Sequence, residues 1–247
     1  MRAILKLLWH NHCAHATMNL NECHMEEFIM RNHKTSSAVF GVIVGILLFL
    51  LAVSVSVTVI LHLRAIYYAD ISLLHIPENS GYSVDLIRRN YDVLIDYNTI
   101  GYKGALNFPD LAMSESGRIH FEEVKRVFDF FGYMAIILTP VCAVCLFISR
   151  RMRSALCLLV GGILGLSVPV ILAAFTAISW DTVFVKFHQL VFRNDFWIFD
   201  WRTDPVILIL PDTFFLHCAV LIFALVFLFS IVMLLLYKVS RKKLRYS

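Results

Sequence analysis

Two histidines could carry chemistry, because each lies in a helical pattern that borders a long apolar stretch. His120 lies in residues 119–131, where apolar residues recur at three- and four-residue steps, and His188 lies in an aromatic-rich stretch over residues 182–192. An imidazole with a pKa of about 6.5 can accept or donate a proton near neutral pH. The pair indicates acid–base chemistry, and the alternative is that both are ordinary polar residues at an interface.

The elements that position these histidines follow from the distribution of charge. Four stretches contain no Asp, Glu, Lys or Arg, and they cover residues 35–63, 130–149, 154–180 and 213–237. A helix needs about 20 apolar residues to cross a membrane. The hydrophobic fraction is 59%, and only 16% of residues are charged. The sequence therefore predicts an all-α polytopic membrane protein with four transmembrane helices.

Charge also predicts the orientation of the chain. Basic residues are concentrated in residues 31–34, 150–153 and 238–245, whereas 15 of the 18 acidic residues lie in residues 64–130 and 181–212. The positive-inside rule places the basic segments and both termini in the cytoplasm. We therefore expect a plasma membrane protein whose loops 65–130 and 181–212 face outward. The net charge of +4 then gives no reason to expect a nucleic-acid partner.

The termini are predicted to flank one membrane domain over residues 35–240. Residues 1–34 are expected to be cytoplasmic, and translation could start at Met25 or Met30 instead of Met1. Histidines and cysteines at positions 10–24 could suggest a soft-metal site, but their spacing matches no zinc pattern. Residues 241–247 form a basic cytoplasmic tail. The outer loops contain no cysteine, so we expect no disulfide there.

Short amphipathic helices are predicted within both outer loops. Residues 83–97 have apolar residues at helical spacing, and the helix over 119–131 is expected to continue into the second span. Residues 77–81 are predicted to form a turn. In the second loop, Asp181 is the predicted N-cap of a helix over residues 182–192. Pro205 and Pro211 are predicted to interrupt the chain before the fourth span.

The segments around the two histidines resemble a known family. The similar segments are residues 117–125, 187–192, 194–197, 204–211 and 214–215, with Asn90, Tyr91 and Tyr97 upstream. In order, spacing and four-span topology, residues 35–240 are similar to the lipoprotein intramolecular transacylase (Lit) family of Gram-positive bacteria. Residues 1–30 depart from that pattern.

The resemblance implies a specific acyl transfer. The substrate would be a diacylated lipoprotein whose N-terminal cysteine carries a diacylglyceryl thioether. The sn-2 acyl chain would move to the α-amino group of the same cysteine and give a lyso-form lipoprotein. No cofactor or metal is expected, since conversion of an ester to an amide is downhill. Membrane lipids are the other expected partners, and we expect a monomer.

For this reaction, the first hypothesis makes His120 the general base, with His188 polarising the ester carbonyl or protonating the leaving oxygen. The two roles could be exchanged. Glu123, one turn from His120, could orient a ring or could be a solvated charge. Asn194, Tyr91 and Arg89 are candidates to hold the carbonyl or the glycerol. Trp197 belongs to an aromatic belt that could seat acyl chains or anchor the protein.

Two other classes of function remain open at this point. A membrane scaffold would tolerate the loss of both histidines, whereas an ion or solute path would need charged residues within the spans, which contain none. A metal-dependent membrane hydrolase would use His120 and His188 as ligands and would need a third ligand. The sequence has no H-E-x-x-H motif that would provide one.

Overall fold

The computed structural model describes the backbone of residues 20–246 and the side chains of residues 35–243. Every regular element within this part of the chain is helical, which confirms the all-α prediction. The helices are α1 Leu20–His62, α2 Arg64–Leu73, α3 Ile76–Ser80, α4 Val84–Tyr97, α5 Glu115–Arg151, α6 Leu156–Ile178, α7 Trp180–Val191 and α8 Asp212–Tyr246, with a 3₁₀ helix at Pro205–Leu208. The candidate metal ligands at positions 10–24 lie outside the described side chains.

Four helices are long and apolar enough to cross a membrane, as predicted. They are Thr35–His62 within α1, Glu115–Arg151, Leu156–Ile178 and Asp212–Lys243 within α8. Helix α6 packs between α1 and α8, and α5 packs against α1. A Cβ added to Gly161 would lie 3.0 Å from the carbonyl oxygen of Gly45. The small residues at this crossing allow α1 and α6 to approach closely.

Helix α5 begins well before its uncharged stretch and carries His120 in its second turn. Ser114 caps the helix, because its hydroxyl accepts a hydrogen bond of 3.0 Å from the amide of Gly117. The predicted helix over residues 119–131 is confirmed as part of α5. The segment that carries His120 is therefore a rigid extension of a membrane-spanning helix.

The first loop and the 3₁₀ helix of the second loop share one apolar core at the end of the helical bundle. Its fully buried members include Tyr67, Ile71, Ile76, Ile87, Val206 and Ile209. The hydroxyl of Tyr67 donates a hydrogen bond to the backbone carbonyl of Ile209. The ring of Tyr67 also stacks on Tyr91 at 3.7 Å between centroids. This core joins the two loops independently of the histidines.

Two local predictions were wrong. The predicted turn at 77–81 is one helical turn, Ile76–Ser80, bounded by left-handed residues at His75 and Gly81. Proline at the second helical position favours this start, because its missing amide hydrogen is not needed there. Helix α7 begins at Trp180, so Ser179 and not Asp181 is its N-cap. Asp181 instead lies in the first turn, where its charge complements the helix dipole.

The substitution Tyr67→Phe should destabilise the shared loop core. It would leave the buried carbonyl of Ile209 without its side-chain donor, at a cost of about 1–3 kcal/mol. Thermal unfolding in detergent measures this as a lower Tm. Tyr82→Phe is the matched control, because Tyr82 packs on the same core and makes no hydroxyl hydrogen bond within the described residues. Equal Tm values for the two variants would contradict the role of this hydrogen bond.

Candidate active site

One face of α5 lies against the second loop at three successive positions. Gly117, His120 and Glu123 follow each other at three-residue steps, so each is rotated by about 60° from the one before, and the three share one broad face of the helix. Gly117 contacts Asp204, His120 contacts Phe192 and Phe199, and Glu123 contacts Asn194. His120 is therefore the middle of three contacts that join a membrane-spanning helix to an otherwise separate loop.

Helix α7 of the second loop brings His188 opposite His120. The centroids of the two imidazole rings are 6.0 Å apart, and the ring planes are inclined by 32°. The two residues are 68 positions apart in the sequence. Their meeting satisfies the geometric condition that the sequence-based hypothesis required, since a single reacting group could contact both rings.

The orientation of His188 is fixed by a hydrogen bond to its own helix. Its Nδ1 lies 2.7 Å from the carbonyl oxygen of Phe184, one turn earlier. A backbone carbonyl only accepts hydrogen bonds, so Nδ1 carries the hydrogen. In the neutral ring, Nε2 then keeps its lone pair, and it has no hydrogen-bond partner in the part of the chain that the structure describes. His188 is thus prepared to accept a proton at Nε2.

Aromatic rings surround both imidazoles. Those nearest to His120 or His188 are Phe121, Phe184, Phe187, Phe192, Trp197 and Phe199, with centroid distances of 4.2–5.8 Å. Burial lowers the pKa of His188 below its usual value, and the hydrogen bond to Phe184 opposes that shift. This enclosure favours the neutral, proton-accepting form of His188.

His120 is buried more deeply than His188 and lacks a polar partner. Its exposed fraction is 6%, and its buried Nδ1 makes no hydrogen bond to any described residue. A buried polar nitrogen without a partner costs about 1–3 kcal/mol, so such groups are rare outside functional sites. This unpaired buried nitrogen therefore marks His120 as a candidate functional residue.

Glu123 binds Asn194, whereas the sequence suggested that it could orient a histidine ring. Both of its carboxylate oxygens accept hydrogen bonds from Nδ2 of Asn194, at 3.0 and 3.1 Å. The backbone carbonyl of Asn194 accepts a 3.1 Å hydrogen bond from the indole of Trp197. The ring of Trp197 lies 4.8 Å from that of His188, between centroids. Glu123 therefore orients the second loop and not a histidine ring, because its i+3 position faces that loop.

The remaining candidates lie in the first loop. Tyr91 is 3% exposed and stacks on Tyr67 in the shared core. Arg89 is exposed and pairs with Asp110 at 2.9 Å. Neither residue makes a recorded contact with His120 or His188 within the described chain. The structure thus brings together His120, His188 and Trp197, with Glu123 and Asn194 beside them, and places Tyr91 and Arg89 in other contacts.

Several residues of the site were not identified from the sequence. Phe192 contacts both imidazoles, and Phe199 packs on His120 and Phe121. Asp204 was part of the family-like segment 204–211 but was given no role, yet it lies against the first turn of α5. The position of the Phe184 carbonyl four residues before His188 is a signal that helix geometry could have supplied. The aromatic contacts have no comparable local signal.

The metal-hydrolase alternative requires a group of side chains that could bind a metal ion. No group of three or more His, Cys, Asp or Glu side chains that could hold a metal ion occurs among the described residues. The site instead offers one oriented proton acceptor, a second imidazole with an unpaired nitrogen, and apolar walls. Such a site can move a proton and stabilise charge on an oxygen while excluding water.

Comparison with known proteins identifies one family. The family model "Lipoprotein intramolecular transacylase Lit" matches residues 42–215. The in meso structure of the membrane integral lipoprotein intramolecular transacylase Lit from Bacillus cereus is 34% identical, with a TM-score of 0.83, and the match covers 87% of this chain and 100% of that one.

Two variants of the same Bacillus cereus protein are also similar. One has a histidine replaced by arginine, with 32% identity, a TM-score of 0.79 and coverage of 90% and 99%. The other has a histidine replaced by alanine, with 32% identity, a TM-score of 0.80 and coverage of 88% and 99%. Comparison with curated proteins gave no match.

Asn194→Ala should loosen the second loop around His188. The change removes both hydrogen bonds to the Glu123 carboxylate, and hydrogen bonds to charged groups contribute about 1.5–3 kcal/mol each. Hydrogen–deuterium exchange should then be at least about tenfold faster over residues 192–204. Asn107→Ala, at an exposed site of the first loop, is the control. Unchanged exchange in the Asn194 variant would show that this pair does not hold the loop.

Proposed function

The chain belongs to the Lit family of lipoprotein intramolecular transacylases, and we propose that it acts on a lipoprotein whose N-terminal cysteine carries diacylglycerol. It moves the sn-2 acyl chain to the α-amino group of that cysteine and leaves a lyso-form lipoprotein. The observation that carries the assignment of the site is the pair of imidazoles at 6.0 Å, enclosed by aromatic rings.

The reaction needs little from the protein beyond proximity and proton transfer. Ester and amine belong to the same molecule, and well-oriented intramolecular groups reach effective molarities of about 10⁵ M or more. The amine can attack the ester directly, so a nucleophilic side chain is not required. The amine must lose a proton, the tetrahedral oxyanion must be stabilised, and the glycerol oxygen must receive a proton as it leaves.

His188 is the general base in this proposal, which reverses the first assignment from the sequence. Its Nδ1 hydrogen is engaged by the Phe184 carbonyl, so Nε2 accepts the proton from the attacking amine. The carbon–nitrogen bond forms as that proton moves to Nε2. The carbon–oxygen bond to glycerol then breaks, and the same proton passes from Nε2 to the glycerol oxygen. The base is thereby regenerated without any other reactant.

His120 stabilises the charge that develops on the carbonyl oxygen. One ring nitrogen donates a hydrogen bond to this oxygen, and Nε2 is the candidate because Nδ1 is shielded by the surrounding protein. In an apolar enclosure, such a hydrogen bond is stronger than in water. Trp197, whose ring lies beside His188, contacts the acyl group. Glu123 and Asn194 hold the loop in position.

The orientation of the protein in the membrane follows the distribution of charge. Both termini lie in the cytoplasm, and the site lies at the outer face of the plasma membrane, where mature lipoproteins are anchored. The acidic loops are on the site's side, and the basic segments are on the opposite side. One chain supplies both imidazoles, so the proposed reaction needs no second copy of the protein.

Alanine substitution of either histidine should abolish the rearrangement. In a host that lacks other lipoprotein N-acylation, the wild-type chain should convert a model diacylglyceryl lipoprotein to the lyso-form. Mass spectrometry of its N-terminal tryptic lipopeptide locates one acyl chain on nitrogen and one on glycerol. His120→Ala and His188→Ala should each lower the rate by about 10²–10⁴-fold, the usual contribution of acid–base catalysis.

His75→Asn is the matched control for these variants. His75 is an exposed loop histidine with a left-handed backbone, which asparagine tolerates. Its variant should have wild-type activity. Full activity of both alanine variants would reject the proposed site and favour a scaffold-like role for the histidines. Activity lost on treatment with a chelator and restored by zinc would favour the metal hydrolase.

The pH dependence of kcat/KM should distinguish the ionisation of the substrate amine from that of His188. The α-amine has a pKa of about 7.7–8.0 and reacts only when neutral. Burial lowers the pKa of His188, so this base remains neutral at pH 6.5 and above. As pH falls, log kcat/KM should therefore decrease with a slope of one below about pH 7.7 and steepen to two only below about pH 6.5. A slope of two at pH 7 would contradict the prediction that the substrate amine is protonated at a higher pH than His188.

A further inference from the structure

The segment between α7 and the 3₁₀ helix contains no regular element, yet it supplies rings to the site. Phe192 lies 4.8 Å and Phe199 lies 5.4 Å from the His120 ring, between centroids. We refer to residues 192–204 as the connecting segment. Backbone hydrogen bonds from the amides of Ile198, Thr203 and Asp204 form only local turns within it, so its attachment to α5 depends on side chains. Asn194 fastens its beginning to Glu123 of α5.

Asp204 fastens the other end of the connecting segment to α5. Its side chain is almost fully buried, with an exposed fraction of 2%. Oδ1 accepts a 2.8 Å hydrogen bond from the amide of Ser114, the N-cap of α5, and Oδ2 accepts a 2.7 Å hydrogen bond from the hydroxyl of Thr203. A carboxylate at this end of a helix also interacts favourably with the helix dipole.

Gly117 makes room for this carboxylate. A Cβ built on Gly117 would lie 2.2 Å from Oδ1 of Asp204, a separation that real Cβ atoms do not adopt. Gly117 is one helical turn before His120, so the carboxylate rests on the turn that carries the imidazole. Gly117 and Asp204 therefore fit closely together, and their contact joins the connecting segment to α5 both sterically and electrostatically.

The chain beyond Asp204 has its own anchors. Val206 and Ile209 are each 1% exposed in the shared loop core, and Tyr67 binds the carbonyl of Ile209. Loss of the Asp204 carboxylate would thus release the connecting segment and the α5 terminus from each other without opening that core. The effect of the carboxylate is therefore local to α5, which carries His120, and to the segment that follows the helix of His188.

We propose that Asp204 is a positioning residue for the acyl transfer: its carboxylate clamps the start of α5 to the connecting segment and so sets the separation of His120 and His188. With Asn194 and Glu123 at the other end, the segment is held on both sides of His120. This inference rests on the function proposed above. Displacement of reacting groups by about 1 Å can cost about 10²-fold in rate, so a clamp of this kind has a direct effect on kcat.

Kinetics with a synthetic diacylglyceryl lipopeptide in detergent micelles test the proposal. Asp204→Ala should lower kcat about 10–100-fold and leave KM within about threefold, because binding of the acyl chains does not involve the carboxylate. Asp204→Asn keeps an oxygen that can accept the Ser114 amide hydrogen and should restore most of the rate. Asp195→Ala, an exposed aspartate of the same segment, is the control and should match wild type.

Chemical modification gives a readout that does not need acyl transfer. Diethyl pyrocarbonate should modify the buried His120 slowly in the wild type and in Asp195→Ala, and at least about tenfold faster in Asp204→Ala, because local opening exposes the ring. Peptide mass spectrometry identifies the modified histidine. Unchanged kcat or unchanged modification of His120 in Asp204→Ala would overturn the proposal. Absence of activity in the wild type would instead count against the proposed function.

A double-mutant cycle tests the fit between Asp204 and Gly117. Gly117→Ala alone should lower kcat, because the added methyl group displaces the carboxylate. In the Asp204→Ala background the clash is absent, so the second substitution should cost little more. Strong non-additivity of the two effects supports the clamp, since residues in contact are coupled. Additive effects would show that the two residues act separately and would contradict it.

Discussion

The contact between one face of α5 and the second loop is the constraint on which the site depends. The two catalytic candidates belong to different elements, and this contact brings them together. Gly117, His120 and Glu123 repeat at three-residue steps, and each meets a different part of the loop. A helix is stiff over such distances, so three contacts in a row define the position of the loop along α5. The separation of His120 and His188 follows from that position.

The membrane setting explains why so few polar groups of the protein suffice for the acyl transfer. The four spans provide a rigid frame, and the aromatic rings around the histidines exclude water where acyl chains enter. In such surroundings, one correctly placed hydrogen bond has a larger effect than in water. The substrate supplies both nucleophile and electrophile, so the protein needs only a base, a donor to the oxyanion and a fixed geometry. Two imidazoles with unengaged ring nitrogens match that requirement.

Sequence patterns predicted the fold well because they report local properties. Uncharged stretches identified the four spans, and helical spacing identified α4, α7 and the start of α5. Errors occurred at element ends, where Ser179 and Asp181 are both reasonable caps and the choice depends on tertiary contacts. His120 and His188 were singled out by position and by family resemblance, and the structure confirms that they face each other.

The partners of these histidines could not be predicted in the same way. Glu123 was paired with His120 because both lie on one helix, whereas its actual partner is Asn194 from the second loop. Phe199 and Asp204 contact α5 across gaps of about 80–90 residues, and no local pattern encodes such contacts. The hydrogen bond from His188 to Phe184 also changes the assignment of roles, because it fixes which nitrogen can act as the base.

A structure of the protein with a bound, unreactive substrate analogue tests the central claim most directly. The analogue is a lipopeptide whose sn-2 ester is replaced by an amide and whose α-amine is intact. The measurement is the distance from Nε2 of His188 to the α-amine nitrogen. The account predicts about 2.7–3.2 Å, a normal hydrogen bond, with His120 beside the carbonyl oxygen of the sn-2 amide. An amine bound far from both imidazoles would contradict the assignment of His188 as the base and of this pair as the catalytic centre.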